Sequence, residues 1–165
     1  MATALEFAEV QVPPALAAQL DLECRPDPAS IGDAMRSGFE SLMSFITTHS
    51  LVPDNQPRAI YTAYGPGGVS ATLAVPVATA PASPVVPPFR VDTLQGTKAY
   101  RFTHHGPYPD LAQTYNRITA FMIEKQWMKS EADWTRFMPM WEEYVNDPDC
   151  TPAADLVTYI YLPAI

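Results

Sequence analysis

The sequence predicts an α+β domain: an antiparallel sheet with two main helices on one face, assembled from a tandem pseudo-repeat of β-α-β-β units. Three observations predict it. Two amphipathic helical stretches lie at an offset of 76 residues. Strand-like segments flank both in the same order. A proline-rich stretch near the middle separates two halves of similar length. In the 165 residues this places a first repeat at about 5–77, a connector at about 78–88 and a second repeat at about 89–165, all within one domain.

In the first half, Leu5 to Val12 alternates weakly and predicts a short strand, and Ala15 to Cys24 predicts a better one. Ile31, Met35, Phe39, Leu42 and Ile46 follow at steps of 4, 4, 3 and 4, one face of a 3.6-period helix. Arg58 to Tyr64 and Val69 to Val75 predict two strands around a Gly-Pro-Gly-Gly turn. The stretch Pro76 to Pro88 holds five of the 18 prolines, has neither helical nor strand period, and predicts an extended connector.

The second half repeats the pattern. Phe89 to Leu94 and Lys98 to Thr103 predict strands. Gly106-Pro-Tyr-Pro109 then opens a helix, with proline in a first turn where a missing N–H costs nothing. Its apolar face is Leu111, Tyr115, Ile118 and Met122, which superposes on Met35, Phe39, Leu42 and Ile46. Phe137 to Val145 and Leu156 to Leu162 close the half as strands. Two helices on one side bury one face of such a sheet and leave the other free. A free face carrying aromatic rings is a ligand or partner surface.

Composition narrows the function classes. Ten Lys+Arg against eighteen Asp+Glu give a net charge of −8, so a nucleic-acid binder, which needs a basic stripe, is not expected. No apolar run approaches the roughly 18 residues of a spanning helix. The first residues carry no basic, apolar leader pattern, so no signal peptide is expected. Cys24 and Cys150 make no disulfide framework, which points to a reducing, cytoplasmic compartment. His49, His104 and His105 stand in no metal-ligand spacing, and the acidic residues from Glu131 to Asp149 lack a calcium-loop pattern. No metal or cofactor is therefore expected.

The richest segment is Trp134 to Asp147, WTRFMPMWEEYVND. On a strand, Met140, Glu142 and Tyr144 share one face, and Trp141 and Glu143 the other. A glutamate turned toward the helices is desolvated unless paired. The spacing leaves two arrangements open: a carboxylate among aromatic rings, suited to a large cationic ligand, or a solvated edge strand with an aromatic core face. A bulge would exchange Glu142 and Glu143. Tyr61 and Tyr64 occupy the corresponding region of the first half, Tyr108 follows the second strand of the second half, and Tyr159 and Tyr161 share a face of the last strand. Each combines apolar area with a polar tip, as binding clefts prefer. His104 and His105, at a strand end before Gly106-Pro107, read as turn or surface residues.

The run THHGPYPDLAQTYNRI (residues 103–118) followed by WEEYVNDPDCTPAADLVTYIYLP (residues 141–163) resembles the GyrI-like effector-binding domain, with its H-x-G-P-Y motif, aromatic-E-x-Y-x-N-D-P strand and closing TP…IY-x-P strand. About sixty residues carry the resemblance, and the first half fits as a more divergent repeat. The resemblance implies a duplicated fold with a central cleft for bulky, often cationic, aromatic compounds. It puts the cleft glutamate at Glu142 with Tyr144 on the same face, and matches Tyr108 to the motif tyrosine. For Tyr61, Tyr64 and Trp141 the match is regional only. Such domains occur in AraC-type and MerR-type regulators and as stand-alone proteins. The first repeat starts almost at Met1, so the stand-alone type, without direct DNA binding, is expected.

Three functions follow as expectations. The first is a binding protein for a small hydrophobic or cationic aromatic ligand, in which Glu142 supplies the countercharge. The second is a hydrolase of reactive cyclopropane-containing, DNA-alkylating compounds, with Glu142 as general base; no independent nucleophile–base pair supports it. The third is a protein-interaction module of the gyrase-inhibitor type, with a regulator or gyrase as partner. The first two depend on a buried carboxylate among rings.

Overall fold

The computed structural model describes residues 4–164. Its strands are β1 (Glu6–Val12), β2 (Ala15–Cys24), β3 (Arg58–Gly65), β4 (Gly68–Pro76), β5 (Phe89–Leu94), β6 (Thr97–His105), β7 (Met140–Tyr144) and β8 (Val157–Pro163). Two α-helices, α1 (Pro28–Thr48) and α2 (Leu111–Glu124), complete the α+β fold, with short 3-10 turns at Tyr108–Asp110, Glu131–Phe137 and Ala153–Asp155.

All eight strands form one antiparallel sheet in the order β1-β6-β8-β7-β3-β4-β2-β5. Exchanging β1–β4 for β5–β8 returns the same order read backward. The first strand of each half is traded: β1 pairs with β6, and β5 pairs with β2. Each half thus supplies two strands ahead of its helix, so its order is ββαββ rather than β-α-β-β. Local periodicity cannot show this trade, because an edge strand is placed by its partner and not by its own pattern.

Both helices form where their apolar spacing predicts. Asp27 caps α1, its Oδ1 accepting the Ser30 backbone N–H at 2.9 Å, and Pro28 opens the first turn. Leu42, Phe45 and Ile46 of α1 are buried, with Ile31, Met35 and Phe39 packed against the same core. α1 lies on β2 and β4, and α2 reaches β6. Gly38 makes the first contact close: a Cβ there would stand 2.5 Å from Leu73 Cδ1. From α2, Ile118 and Met122 enter the same core as Ala59, Leu73, Phe102 and Ile160. Phe7 holds β1 in place against Phe102 and Phe121, with ring centres 5.3 and 4.9 Å away.

The strand expected over Phe137 to Val145 is shorter. Glu131–Phe137 forms a 3-10 turn, and the strand begins at Met140. Pro139 has no N–H to give to a ladder, so pairing starts after it. Beyond β7, Asn146 ties the loop to the next strand: its Nδ2 donates to the Asp155 carbonyl at 3.0 Å, and its Oδ1 accepts the Val157 N–H at 2.9 Å. Asn146→Ala removes both bonds and is expected to cost about 1–2 kcal/mol, read as a lower urea midpoint with an unchanged m-value.

Candidate functional site

β7 lies at the middle of the sheet, between β3 and β8, and its five residues MWEEY alternate between faces. Met140 and Tyr144 join the helix-side core. Trp141 belongs to a separate cluster with Val12, Ala99 and Tyr161 on the opposite face. Glu142 therefore points toward the helices, flanked in register by Ala59 and Ile160. It is 5% exposed.

Three hydroxyls converge on this carboxylate. Tyr144 donates to Oε1 at 2.8 Å, Tyr115 to Oε2 at 2.5 Å, and Tyr61 lies at a longer 3.4 Å from Oε1. They come from β7, α2 and β3, so the cage is assembled from both halves of the chain. Further rings close around it. Phe39 of α1 and Tyr108 meet the Tyr144 ring edge-on at 6.0 and 5.7 Å, and Trp134 lies 5.8 Å from Tyr115. The Trp134 Nε1 donates to Thr119 Oγ1 at 2.9 Å, which fixes that wall. Tyr64 stands 6.5 Å from Tyr61 and is 58% exposed. A register shift between Tyr61 and Ala63 lets Tyr61 and Tyr64, three residues apart, share a face.

Among the described residues, no ion pair includes Glu142. Burial pushes its carboxyl up from the ordinary carboxylate range, against the pull of the Tyr115, Tyr144 and Tyr61 hydroxyls and of nearby His104. Burial and the Glu142 charge hold the Tyr61, Tyr115 and Tyr144 hydroxyls well above their usual range, so they stay neutral donors. Tyr108 is raised by burial first, then by Glu142, Asp147 and Asp149. The hydroxyl dipoles moderate the desolvation of this carboxyl but do not cancel the charge it carries when ionised.

Of the residues expected to line one site, the structure brings together Glu142, Tyr144, Tyr61 and Tyr108, with Tyr64 beside them. Trp141, Tyr159 and Tyr161 lie on the other sheet face, because strand parity turns them away from Glu142. Tyr115, Phe39 and Trp134 were not expected in the site. A signal existed for Tyr115: a hydroxyl on the core face of a helix needs a buried partner. His104 is buried rather than at the surface, its ring nitrogens held by Thr114 Oγ1 at 2.6 Å and the Pro107 carbonyl at 3.1 Å. His105 is exposed and meets Glu6 at 3.0 Å. Two surface hollows of about 520 and 630 Å³ run along the outer side of α1 near Glu40 and Ser44, and Glu142 lines neither. Among the described residues no group of acidic, Cys and His side chains is arranged to hold a metal ion.

The sequence model of the GyrI-like small molecule binding domain matches residues 6–165. The chain belongs to this family. Solved structures share the fold at low identity. The EcmrR C-terminal domain superposes with a TM-score of 0.68 at 13% identity, covering 98% of this GyrI-like chain and 98% of that one. In the EcmrR–DNA complex the TM-score is 0.74 at 14% identity, covering 96% of this chain but 57% of EcmrR, which is a longer protein. SAV2435 bound to tetraphenylphosphonium gives 0.60 at 14% identity, with coverage of 96% and 93%. A hydrolase encoded by lin2189 from Listeria innocua gives 0.58 at 13% identity, with coverage of 96% and 91%. At these identities the likeness speaks for the fold alone. No curated protein is a significant sequence relative. Among the described residues no helix is long and apolar enough to cross a membrane.

Proposed function

We propose that this GyrI-like domain captures or senses bulky, lipophilic, aromatic cations at Glu142. The observation that carries the reading is a buried carboxylate held by three tyrosine hydroxyls and, among the described residues, by no ion pair. A cationic guest would offset the desolvation that the hydroxyls only moderate. Aromatic faces add attraction for delocalised charge. Tyr144, Tyr61 and Tyr115 form the floor with Glu142. Tyr108 and exposed Tyr64 form the rim through which a ligand passes. The tandem-repeat reading (about 5–77 and 89–165, joined by the connector) rests on the palindromic strand order and puts this cage over the β3–β7 seam between the repeats. Tetraphenylphosphonium on a protein of the same fold supports the ligand class.

The test uses two probes of the same shape and opposite charge. Calorimetric titration with tetraphenylphosphonium is expected to saturate at one equivalent, and tetraphenylborate to show no binding in the same range. Equal binding of both would remove the carboxylate from the recognition. The hydrolase reading uses the same raised carboxyl and is favoured by the likeness to the lin2189 hydrolase. Turnover of a cyclopropane-bearing alkylator beyond one equivalent would select it over capture.

A further inference from the structure

The sheet face opposite the helices carries a second cluster that the Glu142 site does not use. Arg101, Tyr161, Trp141 and Ile60 lie side by side across β6, β8, β7 and β3, and Tyr159, Glu143 and Arg58 form the neighbouring row. Trp141 and Tyr161 stack with centres 4.9 Å apart and planes 10° from parallel. The Arg101 guanidinium sits 4.6 Å from the Tyr159 ring centre, and that of Arg58 sits 5.9 Å from Trp141. No residue of α1 or α2 belongs to the apolar part of this cluster among the described residues. Trp141 and Tyr161 are buried in their face-to-face stack, while Ile60, Val10 and Tyr159 are only half-buried at its margin.

Two features exceed what packing requires. Arg58 Nε and Trp141 Nε1 are buried and have no hydrogen-bond partner among the described residues. Glu143 Oε2 is 3.7 Å from Arg58 Nε, an ion pair but beyond hydrogen-bond reach. Buried N–H groups without an acceptor are uncommon and are ordinarily completed by water or a ligand. In addition, two guanidiniums, Arg58 and Arg101, share a single carboxylate, Glu143. In a protein of net charge −8 this is a local excess of positive charge, so an anion would be drawn by contact and not by the long-range field.

We propose that this face is a second site, for a planar aromatic anion such as an aromatic carboxylate or sulfonate. Its oxygens accept from Arg58 Nε and Trp141 Nε1, for which a planar acid group is a good geometric match. Its ring packs at the half-buried margin of the Trp141–Tyr161 stack, against Tyr159 and Ile60. Alternation along β7 then gives one strand two recognition faces of opposite sign: Glu142 toward the helices for cations, and the Arg58–Glu143–Arg101 group on the reverse for anions.

Calorimetric titration with 2-naphthoate at low ionic strength tests this. One equivalent is expected to bind, with the same affinity whether or not tetraphenylphosphonium is present. Glu143→Gln removes the like charge and is expected to tighten binding at least threefold. Arg58→Gln is expected to weaken it at least tenfold, and Trp141→Phe, which keeps a ring and loses the N–H, several-fold. Circular dichroism checks each fold; if Arg58→Gln does not fold, the other two variants decide. No saturable binding at millimolar naphthoate, displacement by tetraphenylphosphonium, or unchanged affinity in Glu143→Gln overturns the proposal. Loss of naphthoate binding alongside intact phosphonium binding removes this site alone and leaves the Glu142 reading standing.

Discussion

Glu142→Gln is expected to weaken tetraphenylphosphonium binding about 100-fold or more, roughly 3 kcal/mol, while the protein keeps its fold. Glutamine has nearly the same shape, so ring contacts survive and only the charge is lost. Two of the tyrosine hydroxyls can still donate to its carbonyl, and the third can accept from its amide. The same change is expected to raise stability near neutral pH by about 1 kcal/mol, because a buried charge without a counterion is replaced by a neutral group. The sign follows from the direction of the shift. A carboxyl raised by burial stabilises the fold fully below the ordinary carboxylate pKa, and that contribution is lost as pH rises through the raised value. The melting-temperature gap in favour of the variant should therefore widen from acid to neutral pH. Thermal melts and titration calorimetry measure both arms. A variant that binds phosphonium like the wild type would refute the assigned role of Glu142.

Cation binding should itself be coupled to a proton. Below the raised pKa of Glu142 the free carboxyl is largely protonated, and a permanent cation favours its ionised form. Binding there releases up to one proton, and affinity falls by as much as about tenfold per unit of falling pH. Above the raised pKa the proton is already gone and affinity levels off. The groups facing Glu142 are Tyr61 of β3, Tyr115 of α2, Tyr144 of β7 and His104 of β6. The tyrosines remain neutral throughout this range, since each is raised well above its usual value. Titrations in two buffers of different ionisation enthalpy count the released protons, and Glu142→Gln should flatten the profile. A pH-independent affinity in the wild type would mean that Glu142 is ionised before the ligand arrives.

Much of this was legible in the chain. The 3.6-residue spacing of Ile31 to Ile46 and of Leu111 to Met122 located both helices, because an amphipathic helix must turn one stripe inward. Alternation along Met140 to Tyr144 put Glu142 and Tyr144 on one face, and they are hydrogen-bonded. The residues 103–118 and 141–163 pointed to the GyrI-like family, which the match over residues 6–165 establishes. Less visible were residues whose role depends on a distant partner. Tyr115 reads as one more apolar helix position until the carboxylate from β7 is seen at its hydroxyl. Trp141, Tyr159 and Tyr161 have the right chemistry for a cation site but the wrong face, and that depends on which side the helices take.

The sequence by itself determined the two amphipathic helices, the alternation that separates Glu142 from Glu143, and the absence of metal-ligand spacing, all of which are properties of neighbours along the chain. The tertiary structure alone decided the trade of β1 and β5 between halves, the three-hydroxyl cage drawn from β3, β7 and α2, and the Arg58 Nε and Trp141 Nε1 donors on the reverse face that have no hydrogen-bond acceptor among the described residues. Periodicity fixes which way a side chain points from its own backbone. What it meets there is set by strands and helices tens of residues away, brought together by burial of apolar surface that carries no local signature.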